Sequence, residues 1–174
     1  VAYSTTIATG ARQVVNVNSK GATASNDQPE ALDYSAGGDY VLFESDSPDY
    51  GQAVCHEYGC VYRRNLTTNQ VTLVSVLPGG KAASAEDGVM SKDGNVVSFI
   101  QGDPQQGDDQ LYTRRLDTGK TVLNSKNSAG NNSNGMNFSP SVNSGDTLVA
   151  FVSTATNLGT NTSSGGFWFA HSGV

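Results

Sequence analysis

Charge is the scarcest commodity in this chain. Only 15% of its 174 residues are Asp, Glu, Lys or Arg, and the 10 basic residues are outnumbered by 16 acidic ones, for a net charge of -6. Binding to a nucleic-acid backbone requires clustered Lys and Arg, so nucleic acid has no electrostatic reason to bind. Long apolar runs are also missing. Without about 20 consecutive apolar residues no helix spans a membrane. Histidine is limited to His56 and His171 and cysteine to Cys55 and Cys60. No Gly-x-Ser-x-Gly elbow presents a nucleophile to either His, so a Ser/His/Asp triad has no support. Cys55, His56 and Cys60 do not make a zinc site either, because adjacent Cys and His rarely converge on one tetrahedral ion and no second ligand pair follows. Few Lys and Glu, against abundant Ser, Thr, Asn and 20 Gly, argue against long helices, since Ser, Thr and Asn compete for backbone hydrogen bonds. No helical periodicity is present.

What the chain does have is a repeat. Phe43, Phe99 and Phe151 each end an apolar strand that follows a polar turn, Gly37-Gly38-Asp39, Asp93-Gly94-Asn95 or Gly145-Asp146-Thr147. Tyr3, Tyr62 and Tyr112 each precede a Thr by the same interval, namely Thr9, Thr68 and Thr118, and Gly10, Asn69 or Gly119 comes next. These last residues tolerate positive φ, which a two-residue hairpin turn of the primed type requires. A further strand follows each turn, and Gly21, Gly80 and Gly130 come after those strands. The three Phe positions are 56 and 52 residues apart, which suits one four-stranded antiparallel blade with generous loops.

The run Ser91-Lys92-Asp93-Gly94-Asn95-Val96-Val97-Ser98-Phe99, then an aromatic strand, then Leu116-Asp117-Thr118-Gly119-Lys120-Thr121, resembles the TolB-type propeller repeat, a relative of the WD-repeat blades. The resemblance covers residues 31–125 in two full units, with partial units on either side. The Asp-Gly form occurs only at Asp93-Gly94, and the Thr-Gly form at Thr9-Gly10 and Thr118-Gly119. It implies an all-β fold of propeller-type blades and no particular chemistry, since such repeats serve scaffolds, binding modules and appendages of enzymes alike. The Asp-containing box of sialidase blades is not matched, because Gly94 directly follows Asp93 and no Trp comes after it.

We therefore expect a single repeat domain over 1–174, with a partial blade at 1–16, blades at 31–76 and 88–125 and a partial blade at 139–174. The strands should fall at 31–34, 40–43, 60–65 and 71–76, then at 88–90, 96–100, 110–115 and 121–124, and last at 140–142, 148–153 and 167–170. Residues 17–32 read as a polar connector. Two complete and two partial blades cannot close a propeller, so apolar faces and strand edges stay open at both ends. Another copy could complete them, although simple joining supplies the third-strand position twice; the alternative is a piece of a longer propeller. The chain begins at Val1 rather than Met, which fits a processed mature protein or an excised fragment.

Cys55 and Cys60 bracket a loop that closes as a disulfide if their α-carbons approach to about 4.4–6.8 Å. With few Lys and with possible Asn acceptors at Asn65, Asn131, Asn137 and Asn161, this favours an extracellular or periplasmic location. The acidic loop 103–109 is a stronger candidate for a site, because oxygen-rich side chains on a Gly-containing turn are what Ca2+ prefers, yet its spacing is not that of an EF-hand loop, and an ordinary solvated inter-strand turn is preferred to calcium. Asp46, Ser47 and Asp49 hold the corresponding loop of the previous unit. Arg63-Arg64 and Arg114-Arg115 read as solvated outer-strand charge or as a basic stripe for an acidic partner. In the aromatic patch Phe167-Trp168-Phe169, alternation points Trp168 away from its neighbours, and packing between blades or at a subunit contact is preferred to stacking on a sugar.

The reading is a non-enzymatic propeller-repeat protein without catalytic residues, cofactor or metal. Its partners are other copies of itself or a larger assembly, met through Val1, Tyr3, Ile7, Phe167, Trp168 and Phe169. The alternative is a fragment or subunit of a carbohydrate-binding or polysaccharide-active propeller protein.

Overall fold

Alternating apolar strands separated by Gly, Asn and Asp turns fold into a row of antiparallel sheets. The computed structural model describes the whole chain except residues 19, 26–28, 52–54, 56–58, 103–108, 160–165 and 172 and the side chain of residue 31. The first sheet has two strands, β1 (Tyr3–Thr5) and β2 (Arg12–Val14). The second has four, β3 (Glu30–Tyr34), β4 (Tyr40–Ser45), β5 (Cys60–Asn65) and β6 (Val71–Leu73), and so does the third, β7 (Glu86–Met90), β8 (Val96–Gln101), β9 (Gln110–Arg115) and β10 (Thr121–Leu123). The fourth has three, β11 (Asn137–Val142), β12 (Leu148–Ser153) and β13 (Gly166–His171). A 3-10 turn, Pro48–Tyr50, lies between β4 and β5. Among the described residues no helix is long and apolar enough to cross a membrane.

Register makes the repeat explicit. Phe43 pairs with Tyr62, Phe99 with Tyr112 and Phe151 with Trp168, so Val61, Leu111 and Phe167 hold equivalent places one residue earlier. The turn between the first and second strands is built the same way each time. Ser35, Ser91 and Asn143 accept the backbone N–H of Tyr40, Val96 and Leu148 through their side chains. Gly38, Gly94 and Asp146 take the left-handed conformation there, at φ 73°, 75° and 59°, where Gly costs least.

A second polar tie joins third and fourth strands. Asn16 Oδ1, Ser75 Oγ and Ser125 Oγ accept from the N–H of Ala2, Val61 and Leu111, at 2.9, 3.3 and 2.9 Å. The sequence shows Asn16, Ser75 and Ser125 only as ordinary polar residues.

Three features differ from expectation. The Thr-containing hairpin is not a two-residue primed turn: Asn65 N bonds Gln70 O and Asn69 N bonds Asn65 O, so the loop is longer, and of its residues only Asn69 has positive φ, at 63°. The inner strands carry register shifts between Ala31 and Asp33, Glu86 and Val89, and Phe138 and Ser141. The shift places Asp87 and Ser139 at φ 53° and 52°, which apolar periodicity does not foretell. Pairing also continues past the fourth strands: isolated bridges Val17–Thr23, Val76–Ala82 and Lys126–Asn132 follow each of them, with Gly21, Gly80 and Gly130 all at positive φ. Accordingly β6 ends at Leu73 rather than Val76.

Apolar side chains fill the space between successive sheets. Val15 meets Val41, Phe43 and Tyr62; Leu42, Val61 and Val74 meet Val97 and Phe99; Ile100 and Leu111 meet Val149 and Phe151. Gly88 allows the closest approach, since a Cβ there would stand 2.8 Å from Leu42 and 2.9 Å from Val61.

Ser75→Ala leaves the buried Val61 N–H without its side-chain acceptor and should lower the urea-unfolding free energy by about 1–2 kcal/mol. The exposed control Ser128→Ala should change it by less than about 0.5 kcal/mol; equal effects would remove the repeated tie from the account.

Candidate functional site

The residues with the largest uncovered apolar surface lie on the outermost sheets. In the second and third sheets the position held by Val61 and Leu111 is fully buried against the next sheet. Its equivalent in the fourth sheet, Phe167, is 82% exposed. Phe169 is 76% exposed two residues on, and Phe138 on β11 is also exposed. These three side chains share a sheet face, because Phe167 and Phe138 both pair with Val152 from opposite sides. Trp168 points the other way, as alternation requires. It packs with Ile100, Leu111, Val149 and Phe151 between the third and fourth sheets, and its indole lies where a Cβ on Gly159 would be only 2.7 Å away.

At the other end, β1 pairs only with β2 among the described strands. Val1, Tyr3 and Ile7 are all exposed. Tyr3 stands at the place of Tyr62, Tyr112 and Trp168, side chains buried or half-buried in the following sheets. Beside β1 is an open cleft of about 710 Å³ lined by Thr5, Ile7, Gln13, Tyr34, Gly38 and Leu66.

The four arginines are neither solvated outer charge nor a stripe held out to a partner. The two pairs are also offset by one residue: Arg64 and Arg114 are equivalent, opposite Val41 and Val97. Arg64 donates to Val14 O and, at 3.1 Å, to Val15 O on the preceding sheet. Arg114 donates to Thr121 Oγ1, which in turn donates to Val76 O. Arg63 donates to Gly94 O at 2.6 Å and lies 4.2 Å from the centroid of the Tyr40 ring. Arg115 faces Asp117 and Asp146. Sequence cannot separate these uses, because the Val14, Val15 and Gly94 carbonyls and the Asp146 carboxylate belong to other units than the arginines they meet.

Acidic groups gather where the second and third sheets meet. Burial, with Glu86, Glu30 and Asp87 nearby, pushes the Glu44 carboxyl up to about 8. Burial, Asp87 and Asp109 also raise Glu86. Among the described residues no group of His, Cys, Asp or Glu has the arrangement to hold a metal ion. Residues 103–108 of the calcium candidate loop lie outside the described residues. In the corresponding earlier loop, the Asp49 carboxylate accepts from Ser25 N and Oγ, which holds it below the usual range, and Ser47 Oγ donates to Ser25 O. These contacts tie the loop to the connector before β3.

Cys55 and Cys60 form a disulfide with α-carbons 5.0 Å apart. Both are fully buried beside Phe43 and Tyr62. His56 lies outside the described residues, and His171 is exposed with its carbonyl accepting from Asn124 Nδ2. Of the Asn acceptors, Asn137 is buried, and its Nδ2 donates to Ser133 Oγ; Asn161 is outside the described residues.

No protein-family model matches the chain, and no curated protein matches it. Solved structures do. A protein described as a TolB of Agrobacterium tumefaciens is similar over 78% of this chain and 42% of its own, at 15% identity and a TM-score of 0.51. TolB of Acinetobacter baumannii is similar over 98% of this chain and 40% of its own, at 16% identity and a TM-score of 0.52. A prolyl endopeptidase is similar over 85% of this chain and 21% of its own, at 12% identity and a TM-score of 0.54. The fold is thus that of TolB-like propeller blades, and the chain spans well under half the length of each of these proteins.

Because the folded state holds the Glu44 proton more tightly than the unfolded chain, its contribution to stability is complete below the ordinary value of 4.5 and is lost as pH rises through about 8. Glu44→Gln should therefore be more stable than the parent near pH 8 by a larger margin than near pH 4.5. Urea midpoints of both proteins at the two pH values check this; a margin that does not grow with pH would contradict it.

Proposed function

We propose that this chain is a non-enzymatic, extracytoplasmic propeller module whose work is association, and that further copies of itself cover its open sheets. The single observation that carries the reading is Phe167. It is 82% exposed where Val61 and Leu111, its equivalents, are fully buried against the next sheet. A sheet face that three times receives a neighbour is present a fourth time, with larger apolar side chains and no neighbour among the described residues. Burying one such side chain contributes about 1.5–3 kcal/mol, so a partner sheet gains most from this face.

The chain carries a face of the matching kind, since Val41 and Phe43 of the second sheet look toward a first sheet of only two strands, as Val97 and Phe99 of the third look toward the complete second sheet. The disulfide supports an oxidising compartment. One observation favours a second reading, a carbohydrate-binding piece of a larger propeller: Phe167 and Phe169 stand exposed on one face, a pair that a sugar ring could stack on.

Sedimentation of the purified chain and of the double variant Phe167→Ser, Phe169→Ser separates the readings. Association predicts oligomers for the parent and their loss, by about tenfold or more in dissociation constant, for the variant. A parent that stays monomeric at high concentration overturns the proposal, and glycan-array binding lost in the variant would then favour the carbohydrate reading.

A further inference from the structure

By repeat position, β1 and β13 are both third strands and β2 is a fourth, so one copy's fourth sheet and another's first hold five strands for four places. We infer that two copies complete each other by strand exchange, in which β13 of one copy displaces β1 of the other and pairs with its β2. The inference rests on the association reading above and specifies its partner, strands and register.

The strand to be displaced is settled by how each is held. β1 makes three residue pairs with β2, and its Tyr3 is exposed. β13 makes six pairs with β12, and its Trp168 is packed between sheets. Short, exposed β1 is the cheaper to release.

β2 stays where it is throughout. Val15, just beyond it, is fully buried in the layer with Val41, Phe43 and Tyr62. Arg64 donates to Val14 O and Val15 O, and Gln13 Nε2 to Leu66 O. None of these bonds involves β1, so all survive its departure.

What β2 needs on its vacated side, β13 supplies. In each of the first three units a side chain shortly after the fourth strand, Asn16, Ser75 or Ser125, accepts the N–H of Ala2, Val61 or Leu111. Phe167 is the next member of that series, and among the described strands none takes the fourth place beside β13. On exchange, Asn16 Oδ1 trades the Ala2 N–H for that of Phe167. The Phe167 side chain takes the place of Ala2 beside Val41 and Phe43, which covers the face left open. The cleft beside β1 receives the incoming β12 and β11, and Gly37 and Gly38 put no side chain in their way. The register follows from Tyr3 opposite Val14, Ser4 opposite Gln13 and Thr5 opposite Arg12: Trp168 comes opposite Val14, Phe169 opposite Gln13 and Ala170 opposite Arg12. Each copy then contributes three complete sheets, and a two-copy ring has six, within the usual span of about four to eight blades.

Cysteine pairing reads the register directly. Gln13→Cys and Phe169→Cys, made as single variants in the otherwise intact chain, should give a covalent dimer when mixed and oxidised. Ser4→Cys with Gln13→Cys in one chain locks β1 onto β2 and should weaken the dimer by about tenfold or more. Deleting residues 1–7 should leave the dimer as tight or tighter, and deleting residues 1–16 should abolish it. Dimers that form yet do not cross-link at Gln13 and Phe169, or that survive the lock unchanged, overturn strand exchange while leaving association standing. Absence of any oligomer overturns both.

Discussion

Every sheet in this fold has two apolar faces, and neither can be left wet without loss. Three inter-sheet layers meet that demand inside the chain, centred on Phe43 with Val15, on Phe99 with Leu42 and Val61, and on Phe151 with Ile100 and Leu111. Ring pairs thicken two of them, Phe43 with Tyr62 at 5.6 Å and Phe99 with Tyr112 at 5.9 Å between centroids. A buried aromatic pair adds about 0.5–1.5 kcal/mol to the burial of its area. The exposed face carrying Phe138, Phe167 and Phe169 is the same construction without its next layer.

Polar ties decide how the layers sit. Area burial is indifferent to direction, whereas a guanidinium reaching the carbonyls of the neighbouring sheet, as Arg64 does, fixes one sheet against the next. Units solve the same local problem with different chemistry. Cys60 opens β5 and is bridged to Cys55. Gln110 opens β9 at the equivalent place and is instead held by Ser125 and Ser133, whose Oγ atoms donate to its Oε1. A covalent clasp in one unit and a buried hydrogen-bond network in the next close the same end of the sheet. The carboxyls around Glu44 work against this order, because they put like charges at the second inter-sheet seam.

Much of the fold was legible because turns and strands are local. Asp93-Gly94 and the Phe–Tyr spacing located the strands of the two full sheets, and alternation along Phe167-Trp168-Phe169 separated the packed ring from the exposed ones. The rest depends on partners far away in sequence. Nothing local says that Arg64 will find Val14 and Val15, or that Asn16 belongs with Ser75 and Ser125. Acids at 30, 44, 86, 87 and 109 look scattered until the second and third sheets bring them together. Bulges at Asp87 and Ser139 were illegible for a related reason: alternation reports which residues are apolar, and an extra residue in a strand leaves that count unchanged.

Hydrogen exchange at the backbone amides of Phe167 and Phe169, which by their repeat position point away from β12 as those of Val61 and Leu111 point away from β4 and β8, tests most directly whether the uncovered sheet finds a neighbour when followed across protein concentration. The account predicts fast exchange at these two amides in dilute solution and growing protection as concentration rises, with the amides of Val61 and Leu111 protected throughout. Exchange at Phe167 and Phe169 that is equally fast at every concentration would contradict it.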